Sequence, residues 1–158
     1  MKYRTILPVT ALVAASAVLA PQASAASNAG ISAKAMAVAA GGAHCTATPQ
    51  NPHRSSGAGD GRILFKTRVT CKGSYPSVTV HINGVLEEGP DVGPKRIAAK
   101  SSETQVIKNG KTATFYTPGA SGKQEKSPGR YRGRISGQIT SPVPGNFDDG
   151  FTQWVLLK

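Results

Sequence analysis

The segment Arg62 to Lys72, Arg-Ile-Leu-Phe-Lys-Thr-Arg-Val-Thr-Cys-Lys, narrows the fold more than any other part of the chain. Ile63, Phe65, Val69 and Cys71 share one parity, and Lys66, Arg68, Thr70 and Lys72 share the other. A period of two carried by β-branched and aromatic residues predicts a strand with one face inward and one in water. The last inward position, Cys71, has Cys45 as its only possible partner within the chain, which holds two cysteines. A bridge between them staples this strand to the segment around Cys45. Closing a loop of about 25 residues would stabilise the fold by roughly 3 to 4 kcal/mol.

The chain opens on an address. Lys2 and Arg4 form a basic start, Ile6 to Ala20 is an apolar run broken by Pro8, and Ala23-Ser24-Ala25 is a small-x-small cleavage site. This pattern predicts a secretory signal peptide over 1–25, and hence a secreted, extracellular product in which two cysteines are expected to pair. The apolar run falls short of the roughly 20 residues a spanning helix needs, and no later segment is long and apolar enough, so no membrane span is expected. The full chain carries 19 Lys plus Arg against 8 Asp plus Glu; without Lys2 and Arg4 this becomes 17 against 8, a net charge of +9. The remaining length of about 133 residues suits one domain with its own core.

Residues 26–43 are rich in alanine and carry a single charge, Lys34, with a mild apolar bias through Ile31, Met36 and Val38. An alanine-rich stretch of this length is marginal as an isolated helix. It is read as a flexible N-terminal arm, either idle or able to order in a partner's groove. The domain is expected over 44–158. Thr48 to Gly61 is turn-rich, and Ser77 to Asn83 predicts a strand with Val78, Val80 and Ile82 inward. Asn83-Gly84 reads as a tight turn into a short strand at Val85-Leu86, followed by a loop from Glu87 to Pro94. Asn109-Gly110 reads as the turn of a hairpin spanning Glu103 to Thr117. Tyr131 to Thr140 alternates again, with Tyr131, Ile135 and Ile139 inward and Arg130, Arg132, Arg134 and Gln138 outward. Ser141 to Gly150 reads as a loop, and Phe151 to Leu157 as a closing strand.

Six or seven short strands without an amphipathic helix predict an all-β, antiparallel β-sandwich, immunoglobulin-like or Greek-key, with one disulfide. Gly129-Arg130-Tyr131 resembles the tyrosine corner of immunoglobulin-like domains, in which the hydroxyl bonds a backbone group. Both cysteines lie early in the chain, which departs from that family's spacing.

Little in the sequence points to catalysis. His44, His53 and His81 stand apart, and once the cysteines pair no zinc-spaced cluster remains. The serine of Gly133-Arg-Ile-Ser-Gly137 is misplaced for a nucleophile elbow, and Gly119-Ala-Ser-Gly-Lys123 lacks the spacing of a phosphate-binding loop. No pair among the eight acids is singled out for glycoside hydrolysis. The expectation is a non-enzymatic protein without cofactor or metal.

What remains is charge. Arg130, Arg132 and Arg134 share one strand face, and Lys66, Arg68 and Lys72 share another. If the two strands sit in the same sheet, its outer surface carries a basic patch able to meet anionic wall polymers or an acidic protein. Nucleic acid is not expected, because no aromatic residue is interleaved with the arginines as a stacking platform.

In its Ala-Ser-Ala signal ending, its early disulfide, its late Gly-Arg-Tyr and its strand-rich body, the chain resembles the small secreted β-sandwich proteins of actinobacteria. A small-residue arm on a compact bridged domain is similar in layout to the connector subunits of umbrella toxin particles. That resemblance implies an antibacterial assembly in which the arm, through Ile31, Met36 and Val38, docks into alanine-rich repeats of a larger toxin subunit. The basic face would then hold a lectin-like subunit. The alternative is a stand-alone binding module for an anionic cell-wall polymer, or a protease inhibitor.

Overall fold

The computed structural model describes residues 34–39, 42–57 and 60–158. The signal segment 1–25 and the first part of the arm, with Ile31, lie outside the described residues. The described chain is all-β and antiparallel. Its strands are β1 (Ala35–Ala39), β2 (Ala43–Pro49), β3 (His53–Arg54), β4 (Ile63–Lys72), β5 (Ser77–Glu88), β6 (Arg96–Lys108), β7 (Thr112–Thr117), β8 (Gly129–Ser141), β9 (Gly145–Phe151) and β10 (Val155–Leu157). Hydrogen bonding joins them into one sheet in the order β3-β4-β2-β1-β9-β8-β5-β6, with β7 added to β4 and β10 to β8.

The sheet folds over on itself. Phe65 of β4 and Gly133 of β8 are far apart along the strand order, yet a Cβ on Gly133 would stand 2.9 Å from the Phe65 ring. Between the two layers lies a single core that includes Ile63, Phe65, Val69, Val80, Leu86, Tyr131, Ile135 and Ile139, all 0–1 % exposed. The end strands β6 and β7 are held together by side chains: Ser101 and Thr117 share a hydroxyl hydrogen bond of 2.7 Å, and Gln105 Nε2 donates to the Thr114 carbonyl at 3.0 Å. Cys45 and Cys71 are directly opposed on β2 and β4, both are buried, and they form the disulfide.

Four expectations change. First, the arm does not extend to residue 43: residues 35–39 form β1, which pairs with β2 along its length and with β9 at Ala37↔Phe147, and Ala43 opens β2. A small side chain suits this position, because Ala37 is 1 % exposed and belongs to the core cluster. Second, Asn83-Gly84 is no turn. β5 runs straight through it for twelve residues, because a side chain at position 84 would collide with the Thr117 hydroxyl and Ser101; the glycine lets them come close.

Third, Asn109-Gly110 does turn the chain, with Gly110 at φ 71°, but the arms on either side do not pair with each other. β6 pairs with β5 and β7 with β4, so the turn carries the chain from one layer to the other. The Asn109 side chain clamps this corner, donating to the Gly73 carbonyl at 2.8 Å and accepting from the Gly73 N–H at 3.3 Å. Fourth, most of Ser141 to Gly150 is strand: β9 starts at Gly145, and Phe147 buries its ring in the core.

Candidate functional site

The arginine row of β8 emerges on one face as expected, but the neighbouring strand β5 and the loop after it meet it with carboxylates. Glu87 stands across from Arg132 in the β5/β8 register. Its carboxylate binds Arg132 at 2.6 Å and Arg134 at 3.3 Å; Arg134 also lies 3.9 Å from Asp149, and Arg130 pairs with Asp91 at 2.8 Å. The Arg132 guanidinium carbon also lies 4.9 Å from the centroid of each of the Phe151 and Trp154 rings. The partner-binding role expected of Arg130, Arg132 and Arg134 therefore meets groups already engaged within the chain. Nor do they join Lys66, Arg68 and Lys72 in one patch: β2, β1 and β9 separate β4 from β8 in the sheet, and β4 and β8 meet across the core.

Of the arm residues, Ile31 is outside the described residues, while Met36 and Val38 belong to β1. Met36 is 55 % exposed, on the face opposite to the buried Ala37.

The other cationic row stands differently. β2, β4 and β7 contain no Asp or Glu. Their register aligns outward side chains in rows across three strands: His44 beside Lys72, then Thr46-Thr70-Thr112, then Thr48-Arg68-Thr114, and last Lys66 beside Tyr116. Thr70 and Thr112 share a hydroxyl hydrogen bond of 2.6 Å. Lys66 Nζ stands 5.7 Å from the Tyr116 ring centroid. Among the described residues, none of Lys66, Arg68 and Lys72 takes part in an ion pair. A shallow depression of about 360 Å³ lies among His44, Thr46, Thr48, Thr70 and Lys72. The result is a sheet face with hydroxyls between cations that have no ion-pair partner among the described residues.

No protein-family model matches the chain, and no curated protein matches it.

The three cations of β4 are legible in the sequence, but their companions Thr46, Thr48, Thr112, Thr114 and Tyr116 are not. The signal was present as threonines two residues apart in acid-free strands, but which strands flank β4 is a matter of sheet order. Among the described residues no group of three or more His, Cys, Asp and Glu is placed to hold a metal, and no helix is long and apolar enough to cross a membrane. His81 instead bonds Thr104 at 2.8 Å and Asn83 at 3.2 Å.

Of the eight acids, Asp60, Glu87, Glu88, Asp91, Glu125 and Asp149 are ion-paired. Arg96 bridges Glu88 and Glu125. Burial alone would raise the Glu125 carboxyl pKa, but the Ser127 backbone N–H and the Arg96 guanidinium outweigh it and bring it down to about 2. Burial, followed by the charges of Glu125 and Glu88, pushes the Tyr131 phenol up to about 12. Its hydroxyl donates to the Ser127 carbonyl at 2.7 Å.

Proposed function

We propose that the protein is a secreted, non-enzymatic binding module that holds an anionic wall polymer on the β2–β4–β7 face. The observation that carries this reading is a row of cations on β4, Lys66, Arg68 and Lys72, unpaired among the described residues and flanked by two strands that like β4 are free of carboxylates, while the arginine row of β8 is ion-paired internally. Along a strand, side chains on one face repeat about every 6 to 7 Å, so the cations form a line suited to a linear polymer with repeated negative groups. The threonine hydroxyls between them donate to and accept from the polymer's polar atoms. The buried Cys45–Cys71 disulfide is compatible with an exported protein.

The adaptor reading, with the arm in a larger toxin subunit and a sheet face on a lectin-like one, ranks second. Exposed Met36 favours it, while the internal pairing of Arg130, Arg132 and Arg134 weighs against it.

The test is retention on anionic wall material at low salt. The variant Lys66→Glu, Arg68→Glu, Lys72→Glu should elute at once. A control with the same change in net charge, Lys95→Glu, Lys108→Glu, Lys158→Glu, should still be retained. Equal loss in both would reduce the effect to net charge and remove the face from the proposal.

A further inference from the structure

Two acids, Glu103 and Asp148, stand outside the ion-pair network. Asp148 is exposed on β9, but Glu103 is half-buried and lines a cleft of about 580 Å³ between β6 and the loop at 118–122. In a strongly basic protein, a half-buried carboxylate with no ion-pair partner among the described residues is free to take another partner. Its orientation is fixed: Gln105 Nε2 donates to Glu103 Oε1 at 2.7 Å and also to the Thr114 carbonyl of β7. Tyr116, 43 % exposed, forms part of the wall, as do Lys100 and Ser102. Across the cleft, Arg62 is held by Asp60 at 3.3 Å and reaches the Ala120 carbonyl at 3.5 Å, so it braces the loop.

We propose that this cleft is a saccharide subsite. A sugar ring lies on the Tyr116 ring, its hydroxyls donate to Glu103, and Lys100 donates to its oxygens. A carboxylate is an acceptor-only group and an ammonium donor-only, so together they serve hydroxyls, which do both. A flat aromatic face meets the ring's C–H surface, and the cleft volume lies in the range of small-ligand sites.

This inference rests on the polymer reading and deepens it. Tyr116 closes the last row of the cationic face beside Lys66. It also lines the smaller hollow that Lys66 borders as well as the larger cleft. A chain lying along the face therefore reaches the cleft at Tyr116, and the units of the polymer are anionic sugars.

The experiment measures binding of the full chain to two probes by calorimetry: polygalacturonate, whose charges sit on sugars, and polyphosphate, which has charge and no sugar. Tyr116→Ala and Glu103→Gln should each weaken polygalacturonate binding about five- to tenfold, the scale of one lost ring contact or one charged hydrogen bond. Glu103→Gln should leave polyphosphate within twofold, which also shows that this variant is folded, and Tyr116→Phe should keep the binding of both probes. Polyphosphate binding without polygalacturonate binding, a Glu103→Gln variant that weakens both probes equally or neither, or a Tyr116→Ala variant that keeps polygalacturonate binding, would overturn the subsite and leave the cationic face standing. Failure of the wild type to bind either probe would overturn both.

Discussion

Arg132 donates twice to one oxygen of Glu87, at 2.6 Å from Nη2 and 3.1 Å from Nε. The same carboxylate, 13 % exposed, also faces Arg134, so one acid on β5 engages two of the three arginines in the β8 row. Removing it leaves Arg132 without its ion-pair partner and Arg134 with only the longer contact to Asp149, at 3.9 Å. Glu87→Gln is expected to lower stability by about 2 kcal/mol, within the range for breaking partly buried charged hydrogen bonds. Urea denaturation measures this. Arg132→Lys should lose less than Glu87→Gln, because a charge remains near Glu87 while the double hydrogen bond and the ring contacts go.

What was legible in the sequence is what local chemistry decides. The alternation at Ile63, Phe65, Val69 and Cys71, and again at Tyr131, Ile135 and Ile139, places these side chains in the core, where all are buried. The disulfide followed from a count of two cysteines. What failed depended on neighbours that sequence spacing cannot reveal. Asn83-Gly84 has the composition of a turn, but Gly84 serves as the gap for Thr117, which lies on β7 in the other layer. The parity of Arg130, Arg132 and Arg134 was readable; that Glu87 of β5 lies across from Arg132 was not. Residues 35–39 read as part of a flexible arm because alanines carry no strand signal, and it is the pairing with β2 and β9 that makes them a strand.

Phe65 lies over Gly133, whose missing side chain leaves room for the ring between the two layers. Gly133→Ala would place a methyl 2.9 Å from three ring positions to within a tenth of an ångström, closer than packed carbons approach. The expected cost is about 1 to 3 kcal/mol, as for an overpacked core. Phe65→Leu alone should also destabilise, by leaving space. Combined with Gly133→Ala it should cost less than the sum of the two, and a thermodynamic double-mutant cycle measures that coupling. Strict additivity would mean that the ring does not set the glycine.

The Tyr131 hydroxyl, in a residue wholly shielded from solvent, donates to the carbonyl of Ser127 four positions upstream. Tyr131→Phe keeps the ring and leaves that carbonyl without this donor, which should cost about 1 to 2 kcal/mol. Thermal unfolding monitored by circular dichroism would register this as a drop of several degrees in Tm.

Glu125 ties the stability of the fold to pH on the acid side. Its side chain is 7 % exposed, Oε1 accepts from the backbone N–H groups of Lys126 and Ser127 at 3.0 and 2.9 Å, and Oε2 accepts from Arg96 at 2.8 Å. These contacts hold its pKa at about 2 against an ordinary value of 4.5. Because the folded value is the lower one, the unfolded chain binds the proton more readily. The stabilisation from Glu125 is complete above about pH 4.5 and disappears as the pH falls towards 2. Glu125→Gln should therefore destabilise the protein at pH 7, with a gap to wild type of roughly 2 to 3 kcal/mol that narrows steadily below pH 4.5. Urea melts of both proteins at pH 7, 4.5, 3.5 and 2.5 would trace the narrowing. A gap that stays constant across these values would overturn the role of Glu125 in the acid loss of stability.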